Sequence, residues 1–118
     1  MRRVKSLTAL VITFGLMAAP ASAQLLNRLN DLGFGNEDYR LLTDAAETLY
    51  DIEDPQVGSE TIWSNPQTNA HGTVELIAWD GECATVHHVF SASRTNEIYR
   101  ADVKRCKSAD GRWQLVAE

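Results

Sequence analysis

From Pro55 onward the chain falls into short runs rich in Val, Ile, Thr, Trp and Tyr, and each run stops at residues that favour turns. This punctuation constrains the fold most. Runs of that length and composition suit strands, and turn residues at short spacing return each strand beside its predecessor. Strands are expected near 59–64, 72–78, 82–91, 97–107 and 112–117. The breaks fall at Asn65-Pro66, Asp80-Gly81, Arg94-Thr95 and Asp110-Gly111.

The pairing can be argued further. Centring an even-length hairpin loop on Arg94-Thr95 sets Val86 against Val103, His87 against Asp102, His88 against Ala101 and Phe90 against Tyr99. The same register brings Cys83 opposite Cys106. Three-residue loops Trp79-Asp80-Gly81 and Ala109-Asp110-Gly111, with glycine in the left-handed position, fit the two Asp-Gly breaks. They gather Val74, Leu76, Val86, Phe90, Tyr99, Val103, Trp113 and Leu115 on one face. A two-residue loop would split this set, because a one-residue slip turns every side chain over. In this register Trp79 lies in a turn and is expected to be exposed.

An apolar sheet face needs a cover. Tyr39, Leu42, Ala45, Ala46 and Leu49 recur at helical spacing. Asn36 is a suitable N-cap, and Glu37 and Asp38 suit the positive end of a helix. Asp54-Pro55 ends the pattern, since a residue before proline avoids the α region. One helix is expected over about 36–51. Before it, residues 24–35 form a short amphipathic arm with Leu25, Leu26, Leu29 and Leu32, broken by Gly33 and Gly35. The predicted class is α+β. Residues 36–118 form a single domain with one N-terminal helix packed on an antiparallel meander of about five strands, closed by one disulfide.

The first 23 residues read as a cleavable secretory signal. Arg2, Arg3 and Lys5 form a basic head, residues 7–19 carry no charge, and Ala21 and Ala23 are the small residues before a cut between Ala23 and Gln24. The uncharged run is well short of the ~20 residues that span a bilayer as a helix. No cysteine adjoins the cut, so a lipoprotein is not expected. The expected product is soluble, and periplasmic or secreted, with no membrane span after cleavage. Removing these 23 of 118 residues leaves 95, with eight basic and sixteen acidic residues. Such an acidic surface excludes nucleic-acid binding and disfavours anionic lipid.

Two cysteines in an exported chain usually pair. Cys83 and Cys106 close a 24-residue loop, which by loop entropy contributes ~3 kcal/mol. A catalytic thiol is the alternative; it needs a free cysteine near a base, and no CxxC pattern is present. The charge is uneven. Residues 31–60 hold nine acidic residues against Arg40, while residues 94–112 hold six basic residues against Glu97, Asp102 and Asp110. Either an acidic helix and a basic hairpin attract each other within the fold, or one of them is a docking face for a charged partner.

The stretch Trp63-Ser64-Asn65-Pro66-Gln67-Thr68-Asn69-Ala70-His71-Gly72-Thr73-Val74 resembles the W-x-N-P-x-T-G-x-x-G-x-V segment of the bacterial 17 kDa surface antigen family. Cys83 stands at that family's first cysteine, and Tyr99, Cys106 and Asp110-Gly111-Arg112-Trp113 resemble its closing Y…C-x-x-x-D-G-x-W. The resemblance covers roughly residues 56–115, the family's C-terminal domain. It implies an envelope protein of Gram-negative bacteria with no established enzymatic activity. It also implies architectural roles for Trp63, Asn65, Pro66, Thr68, Gly72, Asp110, Gly111 and Trp113. Asn69 replaces the family's glycine, and Ala84 its arginine. The lipid-attachment cysteine and glycine-rich helix of many members are missing, so surface anchoring is not implied.

Few residues suggest chemistry. His87 and Asp102, with Thr73 or Thr85 nearby, could form a Ser/Thr-His-Asp arrangement or a surface salt bridge. His87 and His88 point to opposite faces of a strand and cannot chelate together. His71 lies in a Gly-flanked turn. Asp51, Glu53 and Asp54 have an acidic spacing but lack the glycine and distal glutamate of a calcium loop. Trp63, Trp79 and Trp113 are either core residues or a ligand platform. No catalytic, cofactor or metal residue is assigned. The expected function is a non-enzymatic binding or structural module of the cell envelope whose partner is an envelope protein or cell-wall component. The alternatives are an inhibitor of a hydrolase such as lysozyme or a protease, presenting the 64–72 loop, and a small hydrolase using His87 and Asp102.

Overall fold

The structure is a computed structural model that describes residues 29, 31, 33–92 and 97–116. The signal segment with its cut at Ala23-Gln24, Leu25, Leu26 and Leu32 of the arm, and the turn at Arg94-Thr95 lie outside the described residues. Helix α1 spans Asn36–Tyr50. It is followed by β1 (Glu60–Asn65), β2 (Ala70–Trp79), β3 (Cys83–Ser91), β4 (Ile98–Lys107) and β5 (Trp113–Val116). The strands form one sheet in the order β1-β2-β3-β4-β5, and every neighbouring pair is antiparallel. The fold is therefore α+β, an N-terminal helix on a five-stranded meander, with Cys83 and Cys106 joined in a disulfide.

The β3–β4 pairing follows the sequence-derived register at each residue named for it. Cys83 faces Cys106, Val86 faces Val103, His87 faces Asp102, His88 faces Ala101 and Phe90 faces Tyr99. The Ala109-Asp110-Gly111 loop is also as expected. Ser108 N–H donates to Arg112 C=O across its base, and Gly111 has φ +86°.

The turn between β2 and β3 differs. Asp80 N–H donates to Cys83 C=O, and Trp79 faces Ala84, so the loop is the two residues Gly81-Glu82. Gly81 takes φ +97° at its first position, where a two-residue hairpin favours glycine. The Asp80 carboxylate accepts the Glu82 and Cys83 N–H groups at 2.8 and 2.7 Å. A two-residue loop should have split the apolar set. A bulge at Ile77 prevents it. The pairing shifts between Leu76 and Ala78, so Leu76 faces Val86 and Val74 faces His88. One extra residue in β2 restores the phase that the short loop would have lost. Trp79 consequently ends a strand instead of sitting in a turn. It is half-buried against the core, with its ring 6.1 Å from that of Trp113, not exposed as expected.

The helix start also differs by one residue. Gly35 is the N-cap and Asn36 the first helical residue. Asp38, at the third helical position, accepts the Gly35 N–H at 3.0 Å. That contact satisfies the cap from inside the helix and needs no cap side chain. The helix stops at Tyr50, and Asp51 N–H still donates to Glu47 C=O.

Leu42, Ala46, Leu49 and Tyr50 bury one face of α1 against Trp63, Val74, Leu76, Val86 and Phe90. Phe34, fully buried just before the helix, stands edge-on to Trp63 at 5.7 Å and 5.2 Å from Phe90. At the other end Tyr50 meets Trp113 at 4.6 Å. Rings at these separations add about 0.5–1.5 kcal/mol per pair beyond burial. The helix covers one face of the sheet only.

Candidate functional site

The residues singled out between 63 and 72 form a structural knot. Asn65 closes β1, and its Nδ2 donates to Asp38 Oδ1 at 2.7 Å. Thr68 Oγ1 donates to the same oxygen at 2.6 Å. Asp38 is fully buried, yet both carboxylate oxygens are bonded once the Gly35 contact is counted. A buried carboxylate is tolerated only when it is hydrogen-bonded in this way. Asn65 Oδ1 also accepts Gln67 N–H at 3.1 Å. Asn69 holds the left-handed position at φ +66°, which asparagine tolerates. Gly72 has a different reason. A Cβ there would lie 2.6 Å from Val89 C=O, 2.8 Å from Phe90 Cβ and 3.0 Å from Trp63 Nε1. The Trp63 indole therefore lies on the Gly72 backbone. Pro66 is exposed at the first loop position. Asp110 accepts hydrogen bonds from Ser108 Oγ and Arg112 N–H, which hold its carboxyl below the usual range. Trp113 packs on Tyr50, with Lys107 Nζ 5.7 Å from its ring centre.

His87 and Asp102 do meet. His87 Nδ1 lies 2.6 Å from Asp102 Oδ1, on the sheet face away from α1, with side chains 34% and 58% exposed. Among the described residues no hydroxyl hydrogen-bonds to His87. Thr85 faces Lys104 and Thr73 faces Val89, each on a neighbouring pair. His88 points the other way. It is 3% exposed, its Nδ1 has no partner among the described residues, and burial followed by the nearby Arg105 charge lowers its pKa to about 4. His71 is exposed, with Nδ1 3.0 Å from Asn69 C=O. Asp51, Glu53 and Asp54 are exposed after α1. No group of three or more His, Cys, Asp or Glu side chains among the described residues is arranged to hold a metal ion.

The charge asymmetry is resolved in space. Arg40 pairs with Glu37 and Asp44 along the exposed side of α1. From the basic hairpin, Arg105 is the buried cation. It is 9% exposed and donates to Tyr39 Oη at 3.0 Å, and its charge opposes the rise that burial gives the Glu47 carboxyl. Arg100 and Lys104 alternate with Arg105 along β4 and so project from the opposite face. The attraction between acidic helix and basic hairpin thus runs through Arg105, and other basic residues remain on the open face.

That open face carries what the motifs did not indicate. Ile62 is 76% exposed and Ile98 55% exposed. With Ser64, His71, Thr73 and Val89 they line a groove of about 340 Å³ at the β1–β2 end of the sheet. Ile62, Val89 and Ile98 come from three strands, each on the solvent-facing phase. One apolar residue on such a phase is unremarkable. Only the full register shows that the three converge.

Comparison with family models, with curated proteins and with solved structures gave no match to this chain. Among the described residues, no helix is long and apolar enough to cross a membrane.

Proposed function

We propose that the chain is an exported protein of a bacterial cell envelope that acts as a non-enzymatic binding module through the open face of its sheet. The observation that carries this reading is the apolar groove between Ile62 and Ile98, on the face that α1 leaves uncovered. Apolar side chains converging on a groove favour desolvation by a partner. The motif residues support the same reading. Asn65, Thr68 and Gly72 are occupied in holding the hairpin and helix together, which leaves them as scaffold. The basic, apolar and Ala-x-Ala segments of residues 1–23, the disulfide and the resemblance to surface antigens support export to the envelope. The proposed partner is an envelope protein or cell-wall component.

The test is affinity capture from envelope extract with protein purified after export and its disulfide intact. Ile98→Asp is compared with the parent chain and with His87→Ala. The expected result is a retained species that Ile98→Asp loses and His87→Ala keeps. Equal retention by all three proteins would refute the groove, and an activity abolished by His87→Ala would establish a hydrolase instead.

A second reading has its own observation. The loop of residues 66–69 is exposed at Pro66, Gln67 and Asn69 but fixed from beneath by Asp38. A pre-organised exposed loop suits an inhibitor of a lysozyme or protease, because little ordering cost remains at binding. Inhibition assays with the parent chain and Gln67→Ala test it; no inhibition by the parent chain disposes of it.

A further inference from the structure

The β1 edge is the second feature of this face. Ser59 C=O accepts Leu76 N–H, and Asn65 C=O accepts Asn69 N–H. Backbone groups alternate sides along a strand. Thr61 and Trp63 therefore bond to β2, whereas Glu60, Ile62 and Ser64 direct their N–H and C=O groups outward, away from the sheet. Exposed edges are usually blunted by proline, lysine, a bulge or a covering loop. The segment Glu60–Asn65 has no proline, lysine or bulge. Its central outward residue, Ile62, is also the most exposed large hydrophobic among the described residues.

We propose that this edge binds a second copy of the chain, β1 antiparallel to β1 across a two-fold axis at Ile62, so that the two sheets become one. A two-fold contact is self-complementary, and the sequence of β1 selects its register. With Ile62 opposite itself, Glu60 faces Ser64 of the second copy, and all three outward residues of each strand are bonded. A register one residue toward the N-terminus sets Ile62 against Glu60. Two residues in that direction, Glu60 meets Glu60, and like charges directly opposite are destabilising. One residue toward the C-terminus brings Glu60 against Pro66, which has no N–H to give.

Charge agrees with the same choice. Ser64 is paired with His71 on β2, and Glu60 with Glu75, so Glu60 of the second copy keeps its own Glu75 on one side and gains on the other the small, uncharged Ser64 side chain, with His71 beyond it. On the outer face Ile62 continues into Ile62 of the second copy, and the two grooves meet at the axis. This inference does not rest on the groove's having a separate ligand, since Ile98 lies on β4, three strands from the edge.

Sedimentation of the exported protein over a range of concentrations tests the proposal. The parent chain is expected to dimerise reversibly, and Ile62→Pro, which removes an outward N–H without touching a bond to β2, to weaken association at least tenfold while its circular dichroism is unchanged. Two-fold pairing sets the Ile62 Cα atoms ~5.5 Å apart, within disulfide reach. Ile62→Cys should therefore cross-link to itself under mild oxidation. Ser64→Cys alone should not, but mixed with Glu60→Cys it should give the heterodimer. A chain that stays monomeric at every concentration would overturn the proposal, even if it still captures a partner. So would a dimer indifferent to Ile62→Pro, or self-linking by Ser64→Cys as strong as by Ile62→Cys.

Discussion

Acidification from pH 7 to pH 4 should destabilise the fold through His88. Its imidazole lies on the core face of β3, 3% exposed, and Nδ1 has no partner among the described residues. Burial, then the Arg105 charge, then His87 lower its pKa from 6.5 to about 4. The unfolded chain releases that histidine to its ordinary value, so below pH 6.5 it takes up the proton first. Stability is complete above that value and is lost as the pH falls toward the folded value. The gap of roughly 2.5 units, at 1.36 kcal/mol per unit, corresponds to ~3 kcal/mol at pH 4 and below, with ~2 kcal/mol already lost at pH 5. Exposed carboxylates such as Glu37, Asp80 and Asp110, whose hydrogen bonds hold them below the usual range, also weaken the fold in acid. They do so equally in a variant that lacks only the imidazole. Urea unfolding of the parent chain and His88→Leu at pH 7, 5 and 4 therefore isolates the histidine. The parent should lose ~3 kcal/mol more than the variant over the range. Parallel stability curves would refute the reasoning, because they would mean that the native state accepts the proton as readily as the unfolded chain.

Three further outcomes follow from the packing. Asp38→Ala strands the Asn65 amide and the Thr68 hydroxyl and should cost ~2–4 kcal/mol, and in urea unfolding its effect and that of Asn65→Ala should be strongly non-additive. Gly72→Ala drives a methyl group into Val89 C=O and the Trp63 ring and should cost about 1–3 kcal/mol, read as a lower melting temperature with quenched or shifted Trp fluorescence. Replacing both cysteines by serine should remove ~3 kcal/mol and leave the far-ultraviolet dichroism of the folded state intact.

Much of the scaffold was legible in the sequence because one physical rule, side-chain alternation, ties many residues at once. An even loop expected at Arg94-Thr95 sets Cys83 opposite Cys106 by strand register alone, and β3 and β4 pair in that register. The β2–β3 turn departs from the expected loop because Asp80-Gly81 fits two loop lengths, and continuity of the apolar face does not by itself distinguish them. Continuity was preserved, but by the bulge at Ile77, which has no local signature in its neighbours. Trp79 packs half-buried against the core for the same reason. In the sequence Asp38 shows only as a charge suited to a helix start, whereas in the fold it anchors the β1–β2 loop. Its partners Asn65 and Thr68 lie 27 and 30 residues away, and pattern reading does not reach across that distance. The groove escaped because it is a property of three strands together.

The Ile77 bulge couples two lengths that would otherwise vary separately. Deleting Ile77 alone would rotate Val74 and Leu76 out of the interior, and lengthening the Gly81-Glu82 turn by one residue alone would do the same. Made together, the two changes restore the phase. A homologous chain with a three-residue turn should therefore have a flat β2, and one that keeps the bulge should keep the short turn. An aligner that scores positions independently would place two separate gaps here, whereas the sheet admits them only as a compensated pair.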